Sequence, residues 1–461
     1  MHKALQSLYE SDFAARPAVG LKDDDKFTPE LKKGLFQRLT EWIHKNKGFN
    51  PEHLDDPEPY GMIEDTYRVI SKPLHDIAVR QEVSPELKSA LEQNAFMFSG
   101  FKIFHESNEM ASMLKGDDGG FKSYDKFEQD VLTIDEAYNH NYLRAEYNFA
   151  TNSTLSAVRW QNYAKDGDRY NLQYRTALDE RVREEHRMLE GITLPPSDKF
   201  WDKYYPPNGW NCRCTVIQVL KDKYPTSNSD QACASGERAT TQIGKDGSNK
   251  DAIFRFNPGK SMKVMPPKHP YLPKGCGDCS YNKLAYNPNS DKCQACRELL
   301  KMVRSVQEKT IAADKAKTVA AIKSIKKTIP PYDGIAMSGK NFESGKITML
   351  RRSFDDIYEH AIEIEDVRKW LQGFSIDSLK ELKYKGWGYC HPYPKEHPKY
   401  DPANPMISKH DNDTDYFLYY TIKIDKRDYW VNVKMHKHYG EVVYTIEKKR
   451  PVDIIKGHKK K

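Results

Sequence analysis

Four cysteines in two closely spaced pairs place the strongest constraint on this chain of 461 residues. The pairs are Cys276-Gly-Asp-Cys279 and Cys293-Gln-Ala-Cys296, which together give the spacing C-x2-C-x13-C-x2-C. Two residues between the members of a pair let both thiolates reach one cation, and structural zinc takes four such donors. The spacing therefore predicts a small zinc-ribbon-like module over residues 269–300 that binds structural Zn²⁺. The alternatives are free or buried thiols, or two disulfides.

Length and composition predict several domains with much solvated or partner-covered surface. Hydrophobic residues make up 38% of the chain and charged residues 30%, and a single core rarely serves more than roughly 250–300 residues. The net charge of +7 is mild, but lysines are dense from about residue 301 onward. Such a basic end is usually solvated, and contact with nucleic acid is the alternative. No apolar run approaches the roughly 18 residues of a membrane span, and the start lacks a signal-peptide pattern. We therefore expect a soluble, intracellular protein.

The order of helical and polar segments predicts the domain organisation. Residues 1–90 are expected to form short helices, and residues 91–220 contain longer helical stretches with an aromatic stripe. The segment 221–268 is dominated by Ser, Asn, Gly and Lys and predicts an exposed polar loop. Residues 301–330 predict a helical linker that ends at a domain boundary, Ile329-Pro330-Pro331.

The last part of the chain has a different pattern. Helical periodicity over 354–371 is followed by three segments, 416–424, 429–436 and 441–448, whose composition and alternation are typical of strands joined by tight turns. Residues 331–461 therefore predict an α+β domain with an antiparallel sheet. The predicted fold class is multidomain, with a mainly α-helical first part, the zinc-ribbon-like module and this last domain.

Residues 170–214 contain the densest group of polar and soft side chains. If the segment from Tyr170 continues as a helix, Arg175, Asp179 and Arg183 lie one turn apart on one stripe, with His186 following. The loop after Pro206-Pro207 then returns Cys212 and Cys214 towards that helix. His186 and the two cysteines would offer three soft ligands for a second metal ion. The alternative, an Arg–Asp–His network that pins the loop to the helix, is the favoured interpretation.

At these residues the chain resembles the Mu F-like head-morphogenesis family of tailed phages. The resemblance joins two separated blocks at the family's spacing, over about residues 91–220. The matching positions are Arg175, Thr176, Asp179, Arg181, His186, Gly191, Pro206, Pro207, Asn211, Cys212, Arg213 and Cys214. Two positions depart from the family pattern: Arg183 stands where many relatives carry Cys, and Trp210 where many carry His, which weakens the case for a metal.

The resemblance implies a minor capsid protein that acts in head morphogenesis. It implies a few copies inside the head near the portal, with portal and capsid proteins as partners and packaged DNA nearby. It also implies synthesis in the cytoplasm of a bacterial host and a final location in the virion. It implies no catalytic residue in this module.

The helix-then-meander order of the last domain resembles the barnase/EndoU/colicin/RelE-like nucleases found in phage proteins. Lys434 and His436 fall on the strand face opposite the predicted core, and His, Lys and Arg without clustered carboxylates suit metal-independent RNA cleavage. The resemblance implies a catalytic site of Arg351, His360, Lys434 and His436, with RNA as substrate. The alternatives are an RNase toxin delivered with phage DNA, an inactive docking module, or a plainly solvated face.

Overall fold

The structure is a computed structural model, and it describes residues 2–9, 28–244, 247–273, 291–389, 414–425, 427–451 and 454–458. The chain divides into two compact units, Met1–Arg304 and Ser305–Lys461. The first unit is mainly helical and the second contains a sheet with antiparallel strands. This confirms a multidomain protein with these two kinds of architecture.

Long helices and a few short ones build the first unit. The helices are α1 (His2–Tyr9), α2 (Leu35–Asn46), α3 (Pro57–Arg80), α4 (Pro85–Ser112), α5 (Tyr124–Asp135), α6 (Leu143–Asp166), α7 (Glu184–Arg187), α8 (Phe200–Lys203), α9 (Ser229–Ala239), α10 (Pro258–Ser261) and the first part of α11 (Asp291–Thr328). Short 3₁₀ turns lie at Pro51–Asp55, Gly167–Arg169 and Lys250–Phe254, and a π-helical segment, Glu136–Tyr142, joins α5 to α6.

Helix α4 is the centre of the first unit. It begins at Pro85, where the Ser84 side chain accepts a hydrogen bond from the Leu87 amide, the usual role of an N-cap serine. Every residue from Asn94 to Ser107 is buried. A helix buried on all sides must be surrounded by other elements, and α2, α3 and α5 all contact α4. The aromatic stripe in this segment is therefore core.

A polar network crosses the middle of this helical core. Lys102 Nζ donates to Glu146 Oε2 and to the Tyr138 carbonyl, both at 2.6 Å, and the side chains of Lys102 and Glu146 are fully buried. The π-helical segment supplies the Tyr138 carbonyl and also Asn139, whose Nδ2 donates to Glu106 Oε1 at 2.5 Å. Burial raises the pKa of Glu106 to about 8. This carboxyl is therefore protonated in much of the folded protein at neutral pH.

A small antiparallel sheet follows α6, where a helix was predicted. Its strands are β1 (Tyr170–Arg175), β2 (Thr193–Leu194) and β3 (Thr215–Leu220), in the order β2-β1-β3. The helical prediction was wrong because Tyr174, Leu178 and Val182 fall at helical spacing by chance. In the structure Leu178 has a positive φ of 54° and an exposed side chain, and it lies in the loop after β1.

The segment 221–268 is also not the exposed polar loop that its composition predicted. It contains α9, a 3₁₀ turn and α10, and Phe254, Phe256 and Val264 are buried in the main core. Its asparagines act as helix caps: Asn228, for example, accepts a hydrogen bond from the Gln231 amide. Capping residues and loop residues share the same composition, so composition alone could not separate the two.

The second unit is a six-stranded sheet with helices. Its elements are the rest of α11, β4 (Ile335–Ser338), β5 (Lys346–Met349), α12 (Arg351–Ala361), α13 (Glu365–Gln372), a 3₁₀ turn at Ile376–Glu381, β6 (Lys383–Tyr389), β7 (Thr414–Ile424), β8 (Arg427–His436) and β9 (Gly440–Glu447). The strand order is β4-β5-β9-β8-β7-β6, in which β5 and β9 are parallel and all other neighbours antiparallel. Leu418, Val433 and Val443 lie side by side on the buried face.

The division between the units differs from the predicted boundary at residues 329–331. It falls within α11, between Arg304 and Ser305. Residues of α11 after this point pack in the second unit because Asp314 accepts hydrogen bonds from Arg368 Nε at 2.5 Å and Gln372 Nε2 at 2.8 Å. The predicted linker 301–330 is therefore divided between the two units.

The helices of the described residues are too short or too polar to cross a membrane.

Candidate functional sites

The two sequence blocks around residues 175 and 212 form one packed unit in the structure. The first block comprises the end of β1, the loop after it and α7, and the second is the loop that leads into β3. Asp179 Oδ2 and Oδ1 accept hydrogen bonds from Arg213 Nη1 at 2.6 Å and Nη2 at 2.5 Å. Hydrogen bonding from Arg213 lowers the pKa of Asp179 to about 2. A two-pronged pair of this kind fixes both partners in one geometry.

The other arginines of the first block do not form the stripe that a helix would give. Arg175 Nη1 donates to Glu190 Oε1 at 3.1 Å, and the Arg181 backbone amide donates to Asp179 Oδ1. Arg183 Nη2 donates to the Trp210 carbonyl at 2.7 Å. Asp179 and Arg183 thus bind residues of the loop, but they do so from turns that follow a strand and not from one face of a helix.

Helix α6 and strand β1 hold the second block from outside. Asn148 Nδ2 donates to Asn211 Oδ1 at 2.8 Å, and Asn152 Nδ2 donates to the Cys212 carbonyl at 3.1 Å. Tyr174, on β1, donates its hydroxyl to Asn208 Oδ1. Backbone and polar groups of the loop are therefore bound to the scaffold.

His186, Cys212 and Cys214 meet in the interior between the two blocks. All three are buried, and their nearest ligand atoms lie within 4.8 Å of one another. Each cysteine Sγ is 3.7 Å from His186 Nδ1. The hydrogen bond from Cys214 lowers the pKa of the Cys212 thiol, while the pKa of Cys214 is raised by the same bond. Of the two thiols, Cys212 is therefore the one that loses its proton more readily.

The predicted four-cysteine zinc module is only partly visible. Cys276 and Cys279 lie outside the described residues, while Cys293 and Cys296 lie three residues apart in the first turns of α11. The zinc-ribbon prediction therefore stays a prediction.

In the second unit, two of the four predicted catalytic residues meet at a third side chain. Lys434 Nζ lies 3.6 Å from the centroid of the Tyr444 ring, and His360 Nε2 lies 3.3 Å from the Tyr444 hydroxyl. Lys434 comes from β8, Tyr444 from β9 and His360 from α12, and α12 packs against β9. An imidazole, a phenol and an ammonium group thus share one surface.

Helix α12 adds two residues to this surface that were not predicted. Arg352 Nε lies 3.7 Å from Asp356 Oδ1, and burial raises the pKa of Asp356 against the opposing charges of Arg352, Lys434 and His360. Arg352, Asp356 and His360 follow at intervals of four residues, so helical spacing was the signal that would have found them.

The remaining two predicted residues lie apart from this cluster. Arg351 Nε donates to the Ile329 carbonyl at 2.9 Å. His436 is on the same strand face as Lys434, but its ring neighbours are His438 and Tyr439.

Comparison with known proteins shows that a region of the first unit is similar to a known sequence family. Residues 116–217 match the family described as "Phage Mu protein F like protein". A 137-residue stretch is 41% identical to the "Putative capsid assembly protein F" of Escherichia phage Mu, covering 25% of this chain and 31% of that protein. Another, of 68 residues, is 35% identical to an uncharacterized protein of Methanocaldococcus jannaschii, covering 15% of this chain and 10% of that protein. No solved structure matches.

The similarity is therefore local: the alignments span less than a third of each relative's own length. The family match contains both blocks of the packed unit, from Arg175 to Cys214. The resemblance of this region to Mu F-like proteins is confirmed. The matches do not support the resemblance of the C-terminal domain to nucleases.

Proposed function

We propose that this chain acts in phage head assembly as a minor capsid protein inside the virion, with portal and capsid proteins as its partners. The observation that carries the proposal is the match of residues 116–217 to the Mu F-like family, whose similarity extends to a phage protein named for capsid assembly. Hydrogen bonds join the matched residues to one another. Such an arrangement suits a structural role, because its polar groups bind each other and the scaffold.

The test is genetic and structural. In a phage that carries this gene, Asp179→Ala should reduce the yield of intact heads, because it breaks the link between the two blocks. Cys212→Ala should act in the same way by removing a buried side chain between them. Asp230→Ala is the matched control, since Asp230 forms an exposed ion pair with Lys199 outside the two sequence blocks.

Heads are counted by electron microscopy, and the protein is detected in purified heads by immunoblotting. Normal heads that contain normal amounts of both variants would contradict the proposed role of this unit. Normal heads formed without the protein would contradict the head-assembly function as a whole.

A second activity, metal-independent RNA cleavage by the second unit, is favoured by the cluster around Tyr444. Arg352 and Lys434 supply positive charge for a phosphate. His360 and Asp356 are side chains that move protons, and their four-residue spacing sets them on one helix face. We assign Lys434 to phosphate binding, and His360 and Asp356 to proton transfer. His436, farther along β8, is an alternative to Asp356 as the second proton-transfer group.

RNA cleavage is tested with the full chain, a mixed RNA pool and EDTA. Cleavage should persist in EDTA, and His360→Ala should slow it on the order of 10²-fold, the usual scale for a lost general acid or base. Asp356→Asn and Lys434→Ala should also slow it. His140→Ala, at an exposed histidine of the first unit, is the control. Intact RNA after incubation with folded wild-type protein, or full activity of His360→Ala, would contradict RNA cleavage by the second unit.

A further inference from the structure

The spacing of His186, Cys212 and Cys214 matches the coordination shell of a small soft cation. With Zn–S bonds of about 2.3 Å and Zn–N bonds of about 2.0–2.1 Å, neighbouring donors of a tetrahedral zinc site lie about 3.5–3.8 Å apart. Each Sγ lies 3.7 Å from His186 Nδ1. We propose that these three side chains bind one Zn²⁺ ion in the first unit, at a site separate from the four-cysteine module.

Without a metal, the three groups satisfy one another poorly. Both sulfur atoms approach the same nitrogen, Nδ1, which can take part in only one good hydrogen bond as a donor or an acceptor. The other ring nitrogen, Nε2, is buried and has no hydrogen-bond partner among the described residues. In the tautomer that carries its proton on Nε2, Nδ1 presents a lone pair to a cation. A cation that takes the Nδ1 lone pair and both sulfurs satisfies all three donors at once.

The loop is built to keep the two thiols pointing inward. The carbonyl of Cys212 is bound to Asn152, and the side chain of the residue before it, Asn211, is bound to Asn148. Between the cysteines, Arg213 turns outward to Asp179. Because the intervening groups are fixed outside, Cys212 and Cys214 remain aligned on the interior side, as preorganised ligands require.

The ion would join the two sequence blocks from inside. His186 precedes Cys212 by 26 residues and Cys214 by 28, so the bound metal closes a long loop, and its binding energy becomes folding energy. Three protein donors leave the fourth tetrahedral position to solvent or to a small exogenous donor. The three ligands are at most 8% exposed, so access to that fourth position is restricted.

The experiment uses the full chain with Cys276, Cys279, Cys293 and Cys296 replaced by serine, so that the other predicted site cannot contribute metal. The protein is purified with reductant and without chelator, and zinc is measured by mass spectrometry. We expect about one equivalent of zinc, which Co²⁺ can replace with a sulfur-to-cobalt charge-transfer absorption. His186→Gln and Cys214→Ser should lose the metal, while Cys233→Ser, a partly buried cysteine outside the cluster, should retain it.

Thiol labelling of the four-serine protein without further changes (the parent protein) tests the same site even if the His186 and Cys214 variants do not fold. Cys212 and Cys214 should resist alkylation until a chelator is added, whereas Cys233 should react at the same rate with or without it. Parent protein with no zinc and no cobalt absorption would overturn the proposal. So would a Cys212–Cys214 disulfide in the purified protein, or a His186→Gln variant with its full metal content.

Discussion

Asp179 and Arg213 form a two-pronged salt bridge across 34 residues of sequence, with N–O distances of 2.6 and 2.5 Å. One partner lies in the loop after β1 and the other between Cys212 and Cys214. The bridge is the outer link between two blocks whose inner side is lined by His186 and the cysteines. The two blocks therefore contact each other both at the outer salt bridge and at the inner cluster of His186 and the cysteines.

The first prediction concerns the energy of this bridge. Asp179→Ala and Arg213→Ala should each lower the melting temperature, and the double variant should lose less than the sum, because each single change already removes the pair. The same cycle on Lys199 and Asp230, a monodentate exposed pair, should be nearly additive. Thermal melts of the six variants provide the measurement. Equal coupling in the two cycles would contradict a special role for the bidentate geometry.

The second prediction concerns the four-cysteine module. Wild-type protein should carry about two zinc equivalents, one at each proposed site, and Cys279→Ser should lose the one held by the four cysteines, because removal of one thiolate weakens zinc binding at that site. His186→Gln should leave that equivalent in place, so the two variants separate the two predicted sites. Metal analysis of both variants beside wild type provides the measurement. Unchanged zinc content and melting temperature in Cys279→Ser would remove this module from consideration.

The third prediction is a pH dependence that arises from Glu106. Burial raises the pKa of Glu106 from 4.5 to about 8, so between these values the folded protein keeps a proton that the unfolded chain has lost. The free energy of unfolding should therefore fall as pH rises through this window, by about 1.4 kcal/mol per pH unit at most.

The variant Glu106→Gln should remove this slope and be the more stable protein near pH 8. Denaturant unfolding at several pH values provides the measurement. Glu180→Gln, at an exposed position, is the control and should retain the wild-type slope. A Glu106→Gln curve that runs parallel to wild type would show that Glu106 ionises normally in the folded state.

The fourth prediction tests the packing of α9, which lies in the segment expected to be a loop. A Cβ atom on Gly236 would lie 2.4 Å from the Tyr204 ring, so Gly236→Ala should cost about 1–3 kcal/mol of stability. Gly61→Ala, inside α3, meets only Leu35 at 3.5 Å and should be neutral or stabilise by up to about 1 kcal/mol. Equilibrium unfolding compares them. Equal effects would contradict the close contact of α9 with Tyr204.

One-sided burial made strand β8 predictable from the sequence. Strand β8 alternates buried Tyr429, Val431 and Val433 with more exposed residues, so the two-residue period of a strand could be recognised in the sequence. Strand β1 is buried at four consecutive positions, from Asn171 to Tyr174. A strand covered on both faces loses its alternation, and accidental helical spacing then decided the prediction.

For the candidate sites, the sequence predicted some groupings of residues and missed others. The expected return of the loop towards the preceding block placed His186, Cys212 and Cys214 close together, as they are in the structure. Arg351 was grouped with His360 although adjacent residues Arg351 and Arg352 point to different partners. A one-residue step on a helix turns the side chain by roughly 100°, which a sequence motif without a fixed rotation cannot supply.

The pairing of β5 with β9 has a consequence for synthesis on the ribosome. The hairpin of β4 and β5 joins the rest of the sheet only through β9, where Ile347 and Thr348 pair with Glu441 and Val442. Until those residues leave the exit tunnel, one edge of β5 offers unpaired backbone groups to any other strand. The second unit therefore completes its sheet late, after the whole first unit has emerged. A chaperone bound over this interval should raise the yield of native protein, because distant pairings form slowly and leave aggregation-prone edges exposed.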